Sequence, residues 1–276
     1  MSHHRDDVEQ VLEHIRPVRA HPRMTRTPFF KVVGITFEAT LRTLGGFALG
    51  RDPVAVGDAV LQNWWPRVFR AGNASLRVRG RKHLAPGQAY VIMSNHCSAL
   101  DIPAVVGAAR GPVRMVTKQE LINVPLWGYA MHRAGFIPVD RKNRVKAIHQ
   151  LDAANDILRR GVSVWISPEG TRARDGRLHG FKKGGFHIAL GLGVPIVPAW
   201  IEGTQDCIAP DQLRVREDGD VEVRFGTPID TTGMGKGDMP ALMERVRAEI
   251  LALSGRAAEV DAAPRAMVTE PIRKAS

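Results

Sequence analysis

Apolar positions along the chain keep a helical rhythm up to about residue 73 and a strand-helix alternation after it. The segment "FFKVVGITFEATLRTLGGFALG", Phe29 to Gly50, is apolar apart from Lys31, Glu38 and Arg42. At about 100° per residue these three fall within roughly 40° of one another on a helix. Phe29, Val33, Phe37, Leu44 and Phe47 lie opposite, and Glu38 with Arg42 makes a favourable i,i+4 pair. The segment predicts an amphipathic helix. It falls short of the ~18 uncharged apolar residues of a spanning helix. It fits a helix lying in a membrane interface, and equally one packed on the protein's own core. A second helix is expected over Pro53 to Arg70, ending in "NWWPRVFRAG", with a kink or break at Pro66. Trp64 and Trp65 suit either a lipid headgroup boundary or packing between domains.

From Ala74 short β-like runs alternate with helix-like ones. "YVIMS" precedes "IPAVVGAA", "VRMVTK" precedes "PLWGYAMHRA", and "FIPVD" precedes "VKAIHQLDAANDILRR". "VSVWIS" precedes "FHIALGLG"; "PIVPAWI" follows; "VEVRFG" precedes "MPALMERVRAEILAL". This order predicts an α/β fold with a largely parallel central sheet flanked by helices, preceded by an N-terminal helical membrane-interface motif. Several strands are unbroken apolar runs, as expected when both faces of a sheet are covered. The organisation that follows is a polar tail over 1–24, a helical segment over 25–73, an α/β domain over 74–254 and a flexible tail over 255–276.

Composition adds three constraints. With 44% hydrophobic residues the chain can bury one sizeable core. Its two cysteines, Cys97 and Cys207, make neither a disulfide framework nor a zinc site, which points to a reducing compartment. The polar N-terminus has no apolar stretch of the kind a secretory signal needs. The net charge is +11, and most of the excess sits mid-chain: Arg110 to Gly185 holds 15 basic and 6 acidic residues. Such a run is either a solvated face or a surface for anions, whether phosphate, anionic lipid or nucleic acid.

Candidate chemistry gathers where β-like runs end. In "MSNHCSALDIP" the strand stops near Ser94 and a helix should begin near Ser98. Ser98 and Asp101 alone read as a capping box. That reading leaves Asn95 and His96 unexplained. A loop His with an Asp one helical turn on can give one ring nitrogen to the carboxylate and keep the other as a general base. Cys97, adjacent to His96, is a poor nucleophile candidate because neighbouring side chains point apart. "GFIPVDR" ends a strand at Arg141, weak by itself. "PEGTRARDG" follows "VSVWIS" and offers Glu169, a close-approach Gly170, the Thr171 hydroxyl and the Arg172 guanidinium. That set is a phosphate site or a surface turn with an ion pair. "FKKGG" reads as a basic helix entry, and "VPIVPAW" as a buried strand without ionisable groups.

Four of these stretches, in order, resemble the blocks of the glycerolipid acyltransferases: the His-x4-Asp of "NHCSALD", then "GFIPVDR", "PEGTR" and "VPIVP". The likeness runs from about Arg79 to Pro228, takes in "TKQELINVPLWGYAMHRAG", and is nearest to the bacterial-type 1-acylglycerol-3-phosphate acyltransferases. The resemblance implies transfer of a fatty acyl group from acyl-CoA or acyl carrier protein to the free hydroxyl of a lysophospholipid, with no cofactor and no metal. It implies His96 as base and Asp101 as the residue that orients it. It implies Arg141, Glu169, Gly170, Thr171 and Arg172 at the acceptor phosphate, and Lys118 or Asn95 at the oxyanion or substrate. Lysophosphatidic acid is the expected acceptor, with glycerol-3-phosphate or a lyso-aminolipid as alternatives. A membrane surface with anionic phospholipids is the expected partner, on the cytoplasmic face of the cell membrane, with the protein peripheral or monotopic. Nucleic acid is not expected, because the basic residues cluster with the site motifs rather than with aromatics. A non-catalytic membrane-binding protein would have no use for His96 beside Asp101.

Overall fold

The computed structural model describes residues 24–140, 153–208 and 215–255. The tails expected over 1–24 and 255–276 lie outside these residues except for Met24 and Gly255. The described chain opens with a two-residue strand, β1 (Met24–Thr25), followed by helices α1 (Thr27–Ala48) and α2 (Pro53–Ala71). Strands β2 (Ser75–Arg79) and β3 (Val91–Ser94) precede α3 (Asp101–Ala108) and β4 (Val113–Lys118). Two short helices, Gln119–Ile122 and Trp127–Arg133, lead to β5 (Ile137–Val139). Then come β6 (Ser163–Ile166), α4 (Gly184–Leu192), β7 (Ile196–Glu202), β8 (Val215–Arg216), β9 (Asp220–Phe225) and α5 (Met239–Ser254).

Seven strands form one sheet in the order β2-β9-β7-β3-β6-β4-β5. From β7 to β5 every neighbour is parallel. β9 runs antiparallel to β7 and carries β2 parallel to itself, so this edge of the sheet is reversed. The parallel strands therefore end at a common edge, where His96, Lys118 and the Glu169 loop leave the sheet. Alternation along the strands divides the core. Val91 and Met93 of β3, with Ile196 and Trp200 of β7, face α4 and α5. Tyr90 and Ile92, with Val197, Ala199 and Ile201, face α3 and the end of α2. Both faces are covered, which is why these strands are apolar without interruption.

The helical pair is close-packed through small and hydroxyl residues. Thr36, Thr40 and Thr43 each return their hydroxyl to the carbonyl four residues back in α1. Gly46 lies so near Val56 that a Cβ there would sit 2.8 Å from its methyl groups. Trp64 Nε1 donates to Thr36 Oγ1 at 3.1 Å, and Glu38 is held by Arg42 and Arg67. Both tryptophans pack towards the core beneath α3. Of their two sequence readings, the structure selects packing between domains. α2 also runs through Pro66 without ending, because packing against α1 and α3 outweighs one missing N–H.

Arg114 of β4 fastens this pair to the sheet. Its side chain is fully buried. Nε donates to Ala134 O at 2.6 Å, Nη2 to Val54 O at 2.7 Å, and Nη1 to Val113 O at 3.0 Å. Nη1 also lies 2.6 Å from Asp58 Oδ1. Removing one partner of such a buried arrangement leaves charge and carbonyls without compensation. Arg114→Met should cost about 3–5 kcal/mol in urea unfolding. Asp58→Asn should cost less, because Asp58 keeps contact with water.

Candidate active site

β3 stops at Ser94 because the next residue meets the neighbouring strand through its side chain and not through its backbone. Asn95 Nδ2 donates to Ile201 O, and Ile201 N donates to Asn95 Oδ1, both at 2.8 Å. Asn95 therefore braces β3 against β7. It is buried with both ends of its amide engaged, so its expected place as an oxyanion or substrate contact is corrected to that of a brace. Ser94 Oγ donates to Asn95 O at 2.8 Å and accepts from Trp165 Nε1 at 2.9 Å. The loop then turns into α3.

At that turn His96 Nδ1 lies 2.6 Å from Asp101 Oδ2. The same oxygen accepts the backbone N–H of Cys97 at 2.8 Å and of Ser98 at 2.9 Å. Asp101 is fully buried in the first turn of α3. The capping reading holds in part: Asp101 reaches back to Ser98 N–H. Ser98 Oγ instead accepts from Leu100 N and donates to Ile208 O at 2.7 Å. The His96 ring meets Trp165 edge to face, with centroids 5.4 Å apart. Its Nδ1–H is directed to the carboxylate, so Nε2 carries the free lone pair of the neutral ring. Cys97 is buried, and burial first, then the Asp101 charge, push its thiol pKa up to about 12. It is no nucleophile at neutral pH.

The loop after β6 is tied to this turn: Ala173 N donates to His96 O at 2.7 Å. Thr171 is exposed and Arg172 half-buried beside that bond. Gly170 adopts φ +73, and a Cβ there would meet the Lys182 side chain at 2.8 Å. Its missing side chain thus makes room for Lys182, whose N–H donates to Pro168 O at 2.7 Å. In the sequence Lys182 reads only as part of a basic helix entry. The signal for its place is the glycine four residues after the β6 strand paired with the basic residue twelve positions on. Trp165 was likewise read only as part of an apolar strand.

Glu169 takes a different place from the phosphate-binding one expected. It is 3% exposed, and Oε2 accepts His179 N–H at 3.0 Å. Burial raises its carboxyl pKa, partly offset by the His179 N–H and the His96 backbone. Through Oε2 the side chain holds the loop by its bond from His179 N–H, while the buried Oε1 has no hydrogen-bond partner among the described residues. Lys118 is exposed at the end of β4 on the same sheet edge. Arg141 lies outside the described residues. Among the described residues no three His, Cys, Asp or Glu side chains gather as metal ligands.

An imidazole oriented by a buried carboxylate, at the carboxyl ends of parallel strands and beside the loop that bears Thr171 and Arg172, is an arrangement suited to general-base group transfer of the acyl-transfer class. The comparisons agree with that class. The family model described as Acyltransferase matches residues 75–202. The human 1-acyl-sn-glycerol-3-phosphate acyltransferase alpha is 38% identical over 177 residues, 64% of this chain and 62% of that protein. The 1-acyl-sn-glycerol-3-phosphate acyltransferase of Salmonella typhimurium is 32% identical over 159 residues, 57% of this chain and 64% of that protein. The crystal structure of the 1-acyl-sn-glycerophosphate acyltransferase PlsC from Thermotoga maritima matches with a TM-score of 0.63 at 26% identity, covering 85% of this chain and 96% of that one. The stretch that the acyltransferase model matches, residues 75–202, is just under half of this chain. The chain spans less than two thirds of the length of these curated relatives.

The Glu169 assignment carries a pH dependence. Its folded carboxyl is harder to ionise than its unfolded one, so the cost of burying it is absent below the ordinary value of 4.5 and grows as pH rises past it. Glu169→Gln keeps an acceptor for His179 N–H and cannot ionise. The melting temperature of the variant relative to the native chain should therefore climb as pH is raised from below 4.5 towards neutrality. A constant difference across that range would remove the buried ionisable role.

Proposed function

We propose that this protein is a 1-acyl-glycerol-3-phosphate acyltransferase that forms phosphatidic acid in phospholipid biosynthesis. The observation that carries this is the His96–Asp101 pair, held by two backbone amides and hydrogen-bonded through Ala173 to the loop that bears Thr171 and Arg172. The names of the relatives support the acceptor. In the reaction, His96 Nε2 takes the proton of the acceptor hydroxyl as its oxygen attacks the thioester carbonyl. Asp101 stabilises the imidazolium that forms and holds the ring in place. The tetrahedral intermediate collapses with cleavage of the C–S bond, and the proton passes from His96 to the departing thiolate. No acyl-enzyme is required, consistent with a buried Cys97. The co-substrate is acyl-CoA or acyl carrier protein, and no further cofactor takes part. Thr171, Arg172 and Lys118, with Arg141, are the proposed donors for acceptor phosphate and oxyanion.

The acceptor lies in a lipid bilayer, and we place the protein on the cytoplasmic face as a peripheral or monotopic protein. Among the described residues no helix is long and apolar enough to cross a membrane. The support for an interfacial position is α1. It buries Pro28, Thr40, Thr43 and Gly46 and leaves Phe30 at 65% and Phe37 at 59% exposure, with Val33 and Leu41 also exposed. The outward apolar stripe is thus Phe30, Val33, Phe37 and Leu41. Of the face expected from sequence, Phe29, Leu44 and Phe47 turn out half-buried. Anionic phospholipids suit the exposed Arg26 and Lys31 at its start.

His96→Ala should lower acyl transfer by on the order of 10²–10⁴-fold without unfolding the protein, because Asp101 Oδ2 keeps the Cys97 and Ser98 amides. The assay is free-thiol release from an acyl thioester with lysophosphatidic acid, glycerol-3-phosphate or a lyso-aminolipid as acceptor. Near-normal turnover by the variant removes the mechanism, and preference for another acceptor removes the named substrate. Phe37→Asp should release the full chain from floated phosphatidylcholine–phosphatidylglycerol vesicles while leaving the melting curve in place. A large fall in melting temperature with unchanged flotation would end the interfacial reading.

A further inference from the structure

The exposed large hydrophobic side chains of the described residues fall in two stretches only. One is α1 and its end: Phe30, Val33, Phe37, Leu41 and Leu49. The other is Val124, Leu126 and Tyr129, in the connection from β4 to β5. The two stretches touch. Phe47 and Tyr129 meet edge to face with centroids 6.5 Å apart, and the Arg133 guanidinium covers both rings at 5.8 and 6.0 Å. They make one face although some eighty residues separate them in sequence.

Leu126 has a backbone to match. It stands at φ +62 and ψ −58, and Trp127 N donates to Pro125 O at 2.7 Å. That is a γ-turn of the rare, strained kind, which costs a leucine of order 1–3 kcal/mol. The side chain is 56% exposed, so it recovers little of that cost by packing within the protein. Packing among the described residues therefore leaves the cost of this turn uncompensated.

We infer that the Val124–Tyr129 turn is a second membrane-inserting element, which enters the same leaflet as the α1 stripe. This rests on the interfacial reading of α1 proposed above, with whose face it is continuous. Charge favours lipid over a protein partner at this face. Arg51 is exposed two residues after Leu49. Beside the stripe a cleft of about 510 Å³ carries Lys31, Arg67 and Arg70 against the single acid Glu38. Apolar side chains ringed by cations fit acyl chains beneath anionic headgroups. The turn also lies on the connection that starts at Lys118, at the sheet edge where His96 emerges. It therefore extends the lipid-facing surface from the helical pair towards the site.

Two experiments on the full-length chain test the turn. In the first, Leu126→Gly removes the strain and the side chain together. Its melting temperature should hold or rise, while its partition onto phosphatidylcholine–phosphatidylglycerol vesicles should fall roughly tenfold, as expected for losing one leucine from an apolar phase. In the second, Leu126→Cys is labelled with an environment-sensitive fluorophore. Native Cys97 and Cys207 are buried, so labelling is selective. Emission should shift to the blue on adding vesicles and be quenched by spin-labelled acyl chains, whereas a label at Glu244→Cys on exposed α5 should not respond. If Phe37→Asp releases the protein but Leu126→Gly binds normally and its label stays unshifted, the turn is not inserted and the inference is overturned while the α1 reading stands. If neither variant changes flotation, the interfacial reading itself fails.

Discussion

The site depends on one oxygen atom. Asp101 Oδ2 collects the His96 ring N–H and the amides of Cys97 and Ser98, and it does so from a buried position in the first turn of α3. Burying a carboxylate away from water is costly, and donors to its charge offset that cost; on Asp101 they all converge on Oδ2, while the buried Oδ1 has no hydrogen-bond partner among the described residues. Here the donors come from the chain's departure from the sheet: past Ser94 the backbone amides are no longer used in β pairing. The positive end of α3 adds to the same effect. The oxygen thus closes the strand-to-helix turn and fixes the imidazole in a single act. Losing it would unmake both the turn and the base.

Most of the sheet was legible in the sequence because strands covered on both faces are apolar runs that stop abruptly at polar loops. The reversed edge was not. β2, "SLRVR", alternates exposed and half-buried positions, and its short polar pattern resembles a connection. The pairing of β9 against β7 has no local sequence mark, since it is decided by where the chain returns after Cys207. In the site, the His96–Asp101 spacing announced itself because two chemically linked residue types sit one helical turn apart. Asn95 and Glu169 were misplaced for a common reason. A polar residue beside a catalytic motif looks like a substrate contact, yet both are turned inward to hold loops, Asn95 onto Ile201 and Glu169 onto His179. Asn95 is held by a neighbour 106 residues away and Glu169 by one 10 residues away, and in neither case does the local motif reveal the partner.

α1 was legible as amphipathic, but which face turns inward was not. Hydrophobic periodicity assumes that the large apolar side chains go to the core. α1 instead gives its core side to Thr40, Thr43 and Gly46, because close approach to Val56 of α2 requires small residues and because threonine hydroxyls can be satisfied within their own helix. Phe30 and Phe37 are left on the outer side by that packing. The inversion is costly in water, and it is the observation on which the proposed interfacial position rests.

A face that meets lipid is useful to a transferase only if its distance from the base is set. Arg114 supplies that constraint. From the interior of β4 its guanidinium reaches Val54 at the start of α2 and Ala134 at the end of the Trp127–Arg133 helix. Those are the two elements that carry the outward apolar side chains, α2 through its packing with α1 and the short helix through Tyr129. β4 in turn pairs with β6, and β6 with β3, the strand that delivers His96. Hydrogen bonds through the protein therefore fix both parts of the apolar face relative to the imidazole. An acceptor hydroxyl held at the depth of that face would meet the base at a height chosen by the fold and not by fluctuations of the lipid.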